Sequence, residues 1–177
     1  MTTTTITHDD ELTARTTKKI LVVANATIES SVLRETIGRR VTHAAPAEVL
    51  IVAPALNSRL RHWVSDEGEA RLAAERRLHR CLDRLAVLEV DAAGTVGDAD
   101  PLLAISDALH TFPADEIIIA THPEGRSHWL ARSLVKRARA RFSVQILHIV
   151  VDAVRRQEYL VGPVGVELAR SRLPAAA

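Results

Sequence analysis

The sequence contains one cysteine, few aromatic residues and almost no net charge. Cys81, alone among 177 residues, excludes an internal disulfide framework and a zinc site built from cysteines, and it is typical of a reducing compartment. The 23 basic and 22 acidic residues nearly cancel, so the chain lacks the basic excess that nucleic-acid-binding proteins usually carry. Aromatic residues make up 3% of the chain, which predicts a core of valine, isoleucine, leucine and alanine.

Long apolar runs and secretory features are missing as well. No run approaches the roughly 18 apolar residues that a membrane-spanning helix needs. Residues 1–17 are polar and rich in threonine, without the apolar core of a signal sequence, and we expect them to form a flexible arm. Length and composition therefore predict a cytoplasmic protein with one folded domain that binds neither nucleic acid nor membranes.

Short apolar runs alternate with stretches of helical periodicity. Four runs have the aliphatic and β-branched character of buried parallel strands, at 20–24, 49–53, 116–120 and 144–151. A weaker run at 92–96 contains Gly94 and predicts a short or irregular strand. Helices are predicted over 28–43 and 66–88 and from positions 101 and 127. This alternation predicts an α/β fold, an open five-stranded, mostly parallel sheet with helices on both faces. We expect this domain to cover 18–152, with 153–177 forming a C-terminal tail that packs on the domain or makes an interface.

Individual residues predict the ends and faces of these helices. Asp100 precedes Pro101, a pattern typical of a helix N-cap followed by proline at the first helical position. Asn25 and Thr27 are candidate caps of the first helix. On the second helix, Cys81 is predicted on the buried side and unreactive. The leucines predicted on that side are Leu72, Leu78, Leu82 and Leu85.

The segment 121–129 is the strongest candidate for a ligand site. It follows a predicted central strand and leads into a helix, and ligands of parallel sheets bind at that edge. Gly125 provides flexibility, Ser127 is suited to cap the helix, and Arg126 with Arg132 is suited to bind a phosphate or carboxylate. The same residues are also explained as an ordinary loop and cap with two solvated arginines.

Other polar groups have simpler explanations. Trp63 is suited to stack on a flat ligand, but burial against the sheet is the favoured alternative. Asp98 and Asp100 are better explained by helix capping than by acid–base chemistry, and His148 lies within an apolar strand as a satisfied core or interface histidine. The three histidines that suggest a metal lack a carboxylate at ligand spacing, so no metal site is expected. They are His62, His122 and His128.

The sequence has no catalytic motif that survives inspection. It lacks a nucleophile elbow, a glycine-rich P-loop ending in lysine, and a dinucleotide-binding glycine pattern after the first strand. We therefore do not predict an enzyme.

Three stretches together resemble the universal stress proteins. They are the opening strand at 20–23, the turn into a helix at 97–105, and the strand and loop at 114–122. The resemblance covers about residues 19–152. It implies a Rossmann-like domain and a homodimer formed through the last strand. It also implies that ATP binds at the carboxyl edge of the sheet in some members, whereas other members lack nucleotide and act as stress-linked regulators.

The sequence departs from the nucleotide-binding members of that family. Those members carry an aspartate after the first strand, where this sequence has Ala24 and Asn25, so that Asn25 is an uncharged hydrogen-bonding group in its place. At the positions of their three signature glycines and the hydroxyl that follows, this sequence has Ala120, Pro123, Arg132 and Ser133. Side chains keep the backbone away from phosphates, and proline removes a donor, so the usual phosphate cradle is altered.

We therefore expect a non-catalytic binding or regulatory module that holds a nucleotide or another anionic small molecule at the carboxyl edge of the sheet. ATP or another adenine nucleotide fits the resemblance, and no cofactor is certain. The alternative is a ligand-free dimeric scaffold that has lost ATP binding. The missing carboxylate and glycines disfavour a third reading, phosphoryl-transfer chemistry in the same cleft. The expected ligand-binding residues are Ala24, Asn25, Ala53, Gly97, Thr121, His122, Gly125, Arg126, Ser127, Arg132 and Ser133.

Overall fold

Strands and helices alternate in the order that the apolar runs predict. A computed structural model describes residues 17–44, 46–55, 67–122, 130–152, 157–162 and 165–167. The strands are β1 (Lys18–Val23), β2 (Ala47–Pro54), β3 (Ala92–Gly97), β4 (Glu116–Thr121), β5 (Gln145–Asp152), β6 (Gln157–Gly162) and β7 (Gly165–Glu167). The helices are α1 (Ser31–Ala44), α2 (Glu67–Ala86), α3 (Pro101–Thr111) and α4 (Leu130–Arg141), with a 3₁₀ turn at Ala26–Glu29 ahead of α1.

Several expectations fall on residues outside these ranges. They include most of the N-terminal arm, the loop that contains Trp63, and the start of the fourth helix near position 127. Three of the expected anion-binding residues, Gly125, Arg126 and Ser127, also lie outside the described residues.

The described strands form one sheet in the order β3-β2-β1-β4-β5-β6-β7. Neighbouring strands from β1 to β5 pair in parallel, whereas β6 and β7 are antiparallel to their neighbours. The strand order reverses between β1 and β4, because the chain first builds β2 and β3 on one side and then β4 and β5 on the other. The predicted α/β class, with five parallel strands and helices on both faces, is confirmed.

The sheet also continues beyond β5. Strands β6 and β7 lie in the segment predicted as a C-terminal tail, where Gly162, Pro163 and Gly165 obscure the strand pattern in the sequence. The pairing of β6 with β5 runs from His148 opposite Val161 to the last residue of β5. The last parallel strand therefore has a neighbour on each side.

Each face of the sheet has its own apolar cluster. Ile20 and Val22 of β1 pack on the face covered by α1 and α2. Leu21 and Val23 pack on the face covered by α3 and α4. Burial on both faces explains why the central strands read as continuous apolar runs. The inward residues of the helices include Leu33, Ile37, Leu78 and Leu85 on the first face and Leu102, Ile105, Val135 and Ala138 on the second.

The predicted caps have different outcomes. Asp100 caps α3 as expected, because its Oδ1 accepts a hydrogen bond of 2.9 Å from the backbone N–H two residues on. The expectation that Asn25 or Thr27 caps the first helix is wrong. Asn25 makes no side-chain cap at the 3₁₀ turn, and Oγ of Ser30 accepts from the N–H three residues on, at the start of α1. Asn25 and Thr27 have long-range partners instead.

The buried side of α2 was predicted correctly except at Leu72. Leu78 and Leu85 are buried, whereas half of the Leu72 side chain is exposed. At about 100° per residue, Leu72 lies roughly 120–140° around the helix from those two leucines. Ala74 lies on the same side of the helix as they do and is buried in its place. Cys81 is buried as predicted.

Candidate functional site

The carboxyl ends of β1 and β4 form the candidate site. The chain leaves these two strands towards opposite sides of the sheet, because the strand order reverses between them. Such a reversal opens a crevice at the carboxyl edge of a parallel sheet, and ligands bind there. The end of β2 lies beside β1 at the same edge, and the end of β3 lies beyond β2.

Asn25 is fixed at the end of β1 by two long-range hydrogen bonds. Its Nδ2 donates to the carbonyl oxygen of Pro54 over 2.8 Å, and its Oδ1 accepts from Nη2 of Arg77 over 2.6 Å. An amide suits this place because it donates and accepts at once, whereas an ionised carboxylate only accepts. The side chain that replaces the expected aspartate thus joins the ends of β1 and β2 to helix α2.

Arg77 is a residue that the sequence analysis did not place in the site. It lies on the polar part of α2 by periodicity, and its partner is 52 residues away in the sequence, so no local pattern indicates the contact. Its Nε is buried and has no hydrogen-bond partner among the residues that the structure describes. Among the described residues, no carboxylate lies within ion-pair distance of this guanidinium. The nearby Glu29 instead pairs with Arg80 at 2.8 Å.

Thr27 connects the two sides of the crevice. Its side chain is buried, and Oγ1 donates a hydrogen bond of 2.9 Å to the carbonyl oxygen of Ala120 in β4. The 3₁₀ turn that follows β1 is therefore fixed to the neighbouring strand across the reversal of strand order.

Two histidines lie near the carboxyl end of β4, His122 just after it and His148 in the middle of β5. Oγ1 of Thr121 and Nε2 of His148 are 2.8 Å apart, within hydrogen-bond distance. Burial, and secondly the charge of Arg139, lowers the pKa of His148 to about 4, so its ring is neutral at neutral pH. Nδ1 of His122 lies 3.2 Å from the carbonyl oxygen of Val151, and it donates, because a carbonyl only accepts. His148 therefore has a hydrogen-bond partner, as expected, but it is only partly buried.

Ala24, Ala53 and Gly97 bring backbone rather than reactive groups to this edge. Ala24 and Ala53 are buried, and the N–H of Ala24 donates to the carbonyl of Val52 over 3.2 Å. A Cβ on Gly97 would lie 2.7 Å from Cβ of Ala104 and 2.9 Å from Cγ1 of Val52. The close packing of α3 against β3 therefore explains the glycine, and a ligand contact at Gly97 stays a prediction.

The remaining expected site residues lie towards α4. Ser133 is half-buried in that helix. The backbone of Arg132 belongs to the first turn of α4, while its side chain is outside what the structure describes. The anion clamp formed by Arg126 and Arg132 therefore stays a prediction.

The described residues were predicted to hold no metal ion, to form no membrane-spanning helix and to keep an unreactive cysteine. Within the described ranges, no three histidine, cysteine or acidic side chains are grouped so that they could hold a metal ion. The same ranges contain no helix with the length and apolar character to cross a membrane. Burial raises the pKa of Cys81 to about 11, so this thiol stays protonated and unreactive at neutral pH.

Comparisons with known proteins identify the fold. No family model matches the sequence, and no curated protein matches it either. A universal stress protein from Archaeoglobus fulgidus has a TM-score of 0.52 at 12% identity, with 74% of this chain and 92% of that chain covered. A universal stress protein family member from Burkholderia pseudomallei has a TM-score of 0.50 at 17% identity, with 74% and 94% covered. A universal stress protein in complex with cAMP has a TM-score of 0.49 at 17% identity, with 74% and 95% covered. The chain therefore has the fold of the universal stress proteins, as the resemblance predicted.

Proposed function

We propose that the protein is a cytoplasmic, non-catalytic binding module of the universal stress protein type. It holds a nucleotide or another anionic small molecule in the crevice between the carboxyl ends of β1 and β4. The observation that carries this proposal is the Asn25–Arg77 pair, which places an amide and a guanidinium beside the reversal of strand order.

The charge at this edge suits an anion. The side-chain groups that meet at the ends of β1 and β4 are the amide of Asn25, the hydroxyls of Thr27 and Thr121 and the cationic Arg77. The carboxylates at the end of β3, Asp98 and Asp100, accept backbone N–H groups at the start of α3. Glu29, the acidic side chain nearest to Asn25 in sequence, is already paired with Arg80. Hydrogen bonds between cationic donors and oxyanions are stronger than those between neutral groups, so this environment favours a ligand with a phosphate or carboxylate.

The polar groups at the same edge are poorly suited to catalysis. A hydroxyl and an imidazole do meet there, in Thr121 and His148, as they do in many nucleophile–base pairs. A histidine with a pKa of about 4 is a weak base at neutral pH, so it does little to activate a hydroxyl. The proposal is therefore for binding and regulation, with the expected anion-binding residues of the α4 side completing the site.

A dimeric interaction protein without a ligand is the second candidate. The observation that favours it is the antiparallel pair β6 and β7, which adds a new outer edge to the sheet. Because β6 covers β5, a homodimer would form through that outer edge, or through β5 after displacement of β6. Light scattering of the full chain beside a chain ending at Asp152 tests this candidate, because a monomer in both cases would exclude sheet-edge dimerisation.

The test of the binding function is an inventory of co-purified small molecules. Protein purified without added nucleotide is denatured, and the released compounds are identified by mass spectrometry, with a refolded aliquot as the control for adventitious material. We expect an anionic compound near equimolar amounts. An empty extract, together with no binding of added AMP, ADP or ATP by calorimetry, would contradict the proposal and favour the interaction protein.

A further inference from the structure

Arg77 has a neutral partner, whereas two other arginines of the described residues pair with carboxylates. Nη1 of Arg40 lies 2.7 Å from Glu116, and Nε of Arg80 lies 2.8 Å from Glu29. Arg77 instead donates to the neutral Asn25 and has no ion-pair partner in the described part of the chain. Its cationic charge is therefore not compensated at the end of β1.

The burial of Arg77 makes this arrangement costly. The side chain is only partly exposed, and its Nε is buried without a hydrogen-bond partner among the described residues. A buried donor without a partner costs free energy, and a desolvated cation costs more. One neutral donor would be enough to connect α2 to β1. A guanidinium offers several donors in one plane, and this geometry matches an oxyanion.

Asn25 keeps that charge available. An aspartate at this position would form an ion pair with Arg77 and neutralise it, but the amide accepts one hydrogen bond without doing so. The resulting positive environment disfavours a divalent cation, which prefers carboxylate and carbonyl oxygens without a neighbouring guanidinium.

We infer that Arg77 recognises the anionic group of the ligand at the end of β1, and that this group is a metal-free oxyanion, a phosphate or a carboxylate. This inference rests on the proposed function and adds to it the residue on α2 that binds the anionic group. The amide of Asn25 orients the guanidinium through Nη2, and the exposed part of the guanidinium serves the ligand.

The test compares ligand affinities of the full chain and two matched variants. Calorimetry at low ionic strength measures AMP, adenosine, pyrophosphate and malonate with the wild type, Arg77→Gln and Arg76→Gln. Arg76 is the neighbouring arginine on α2 and is exposed, so its variant removes the same charge outside the site. We expect Arg77→Gln to weaken AMP binding by about tenfold, with adenosine unchanged and Arg76→Gln close to wild type. Tighter binding of pyrophosphate or of malonate identifies phosphate or carboxylate as the preferred group.

The outcomes separate this inference from the proposed function. If Arg77→Gln binds AMP as tightly as Arg76→Gln does, Arg77 does not read the charge, even if its loss lowers thermal stability. If the wild type binds adenosine but none of the three anions, the protein has a ligand site that does not select an anion, and both the inference about Arg77 and the anionic ligand of the proposed function are wrong. If it binds no probe, both are wrong. Should Arg77→Gln fail to fold, Arg77→Lys keeps the charge without the planar donors, and unchanged affinities for AMP and pyrophosphate in that variant would overturn a role for the guanidinium.

Discussion

The two ends of the parallel strands are built from different polar chemistry. At the amino end, the fully buried carboxylate of Glu116 lies 2.9 Å from Nζ of Lys18 and 2.7 Å from Nη1 of Arg40. At the carboxyl end, Asn25 meets an arginine that has no carboxylate in the described part of the chain. Two cations thus compensate the charge of Glu116 where the strands begin, although neither of its oxygens has a hydrogen bond of good geometry among the described residues. Where β1 ends, the charge of Arg77 has no such counterpart among the described residues. The difference indicates which edge is structural and which is suited to a ligand.

The motif at 114–122, which contributed to the resemblance, has structural residues at its start. The N–H of Lys19 donates to Oδ2 of Asp115 over 2.8 Å, and the N–H of Asp115 donates to the carbonyl of Lys19 over 2.8 Å. With the ion pairs of Glu116, these bonds join the amino ends of β1 and β4. Residues that identify a fold are therefore not necessarily those that bind its ligand.

The largest effect is expected from removing the cations at the amino end. The double variant Lys18→Met, Arg40→Met leaves the carboxylate of Glu116 buried without a partner, and it should lower the free energy of unfolding by about 3–5 kcal/mol. Denaturant unfolding measures the loss. Adding Glu116→Gln to the double variant should restore much of it, because the stranded charge is gone. A loss of unfolding free energy below about 1 kcal/mol would mean that these two ion pairs do not compensate the charge of Glu116.

The second-largest effect is expected at Gly97, where α3 packs closely on β3 at the carboxyl edge of the sheet. Gly97→Ala places a Cβ against Ala104 and Val52, and it should cost about 1–3 kcal/mol of unfolding free energy. Gly38→Ala is the control, because Gly38 lies inside α1 with nothing within 4 Å of the new Cβ. That variant should gain roughly 0.5–1 kcal/mol. Equal stabilities of the two variants would show that α3 does not pack closely on β3.

The lowered pKa of His148 predicts how the free energy of unfolding depends on pH. Its folded pKa of about 4 lies below the unfolded value of 6.5, so the unfolded state binds the proton more readily between these values. The stabilisation is complete above pH 6.5 and is lost as the pH falls towards 4. Allowing for partial exposure, the loss is on the order of 1–2 kcal/mol.

The histidine prediction is tested with two variants. His148→Gln should remove this part of the pH dependence in denaturant unfolding between about pH 7 and pH 4. His110→Gln is the matched control at an exposed position and should keep the wild-type dependence. Identical pH profiles for His148→Gln and the wild type would contradict the buried, neutral state of His148.

A smaller effect is expected at the connection across the crevice. Thr27→Val removes the buried hydrogen bond to Ala120 and should cost about 1 kcal/mol of unfolding free energy. The exposed hydroxyl of Thr42, which donates to the carbonyl of Gly38 over 2.9 Å, provides the control. Thermal unfolding should show little change for Thr42→Val. A similarly small change for Thr27→Val would mean that this bond does not hold the two sides together.

Local patterns predicted the fold better than the site. The parallel strands were readable because burial on both faces makes them continuous apolar runs, and the cap at Asp100 depends only on its near neighbours. The partners of Asn25 and Thr27 lie 29 to 93 residues away, so they depend on tertiary structure. Arg77 was missed for the same reason. Strand β6 was missed because it is short and Gly162 and Pro163 end its apolar run.

The most direct test of the difference between the two ends is a map of backbone amide chemical shifts during titration with AMP. We expect the shifts to concentrate at 24–28, 53, 55 and 121–122, at the carboxyl ends of β1, β2 and β4, while 18–19, 47–48 and 115–116 at the amino ends stay unchanged. Shifts centred on the amino ends, or a spectrum unchanged at millimolar AMP, would contradict the assignment of the carboxyl edge as an anion-binding site.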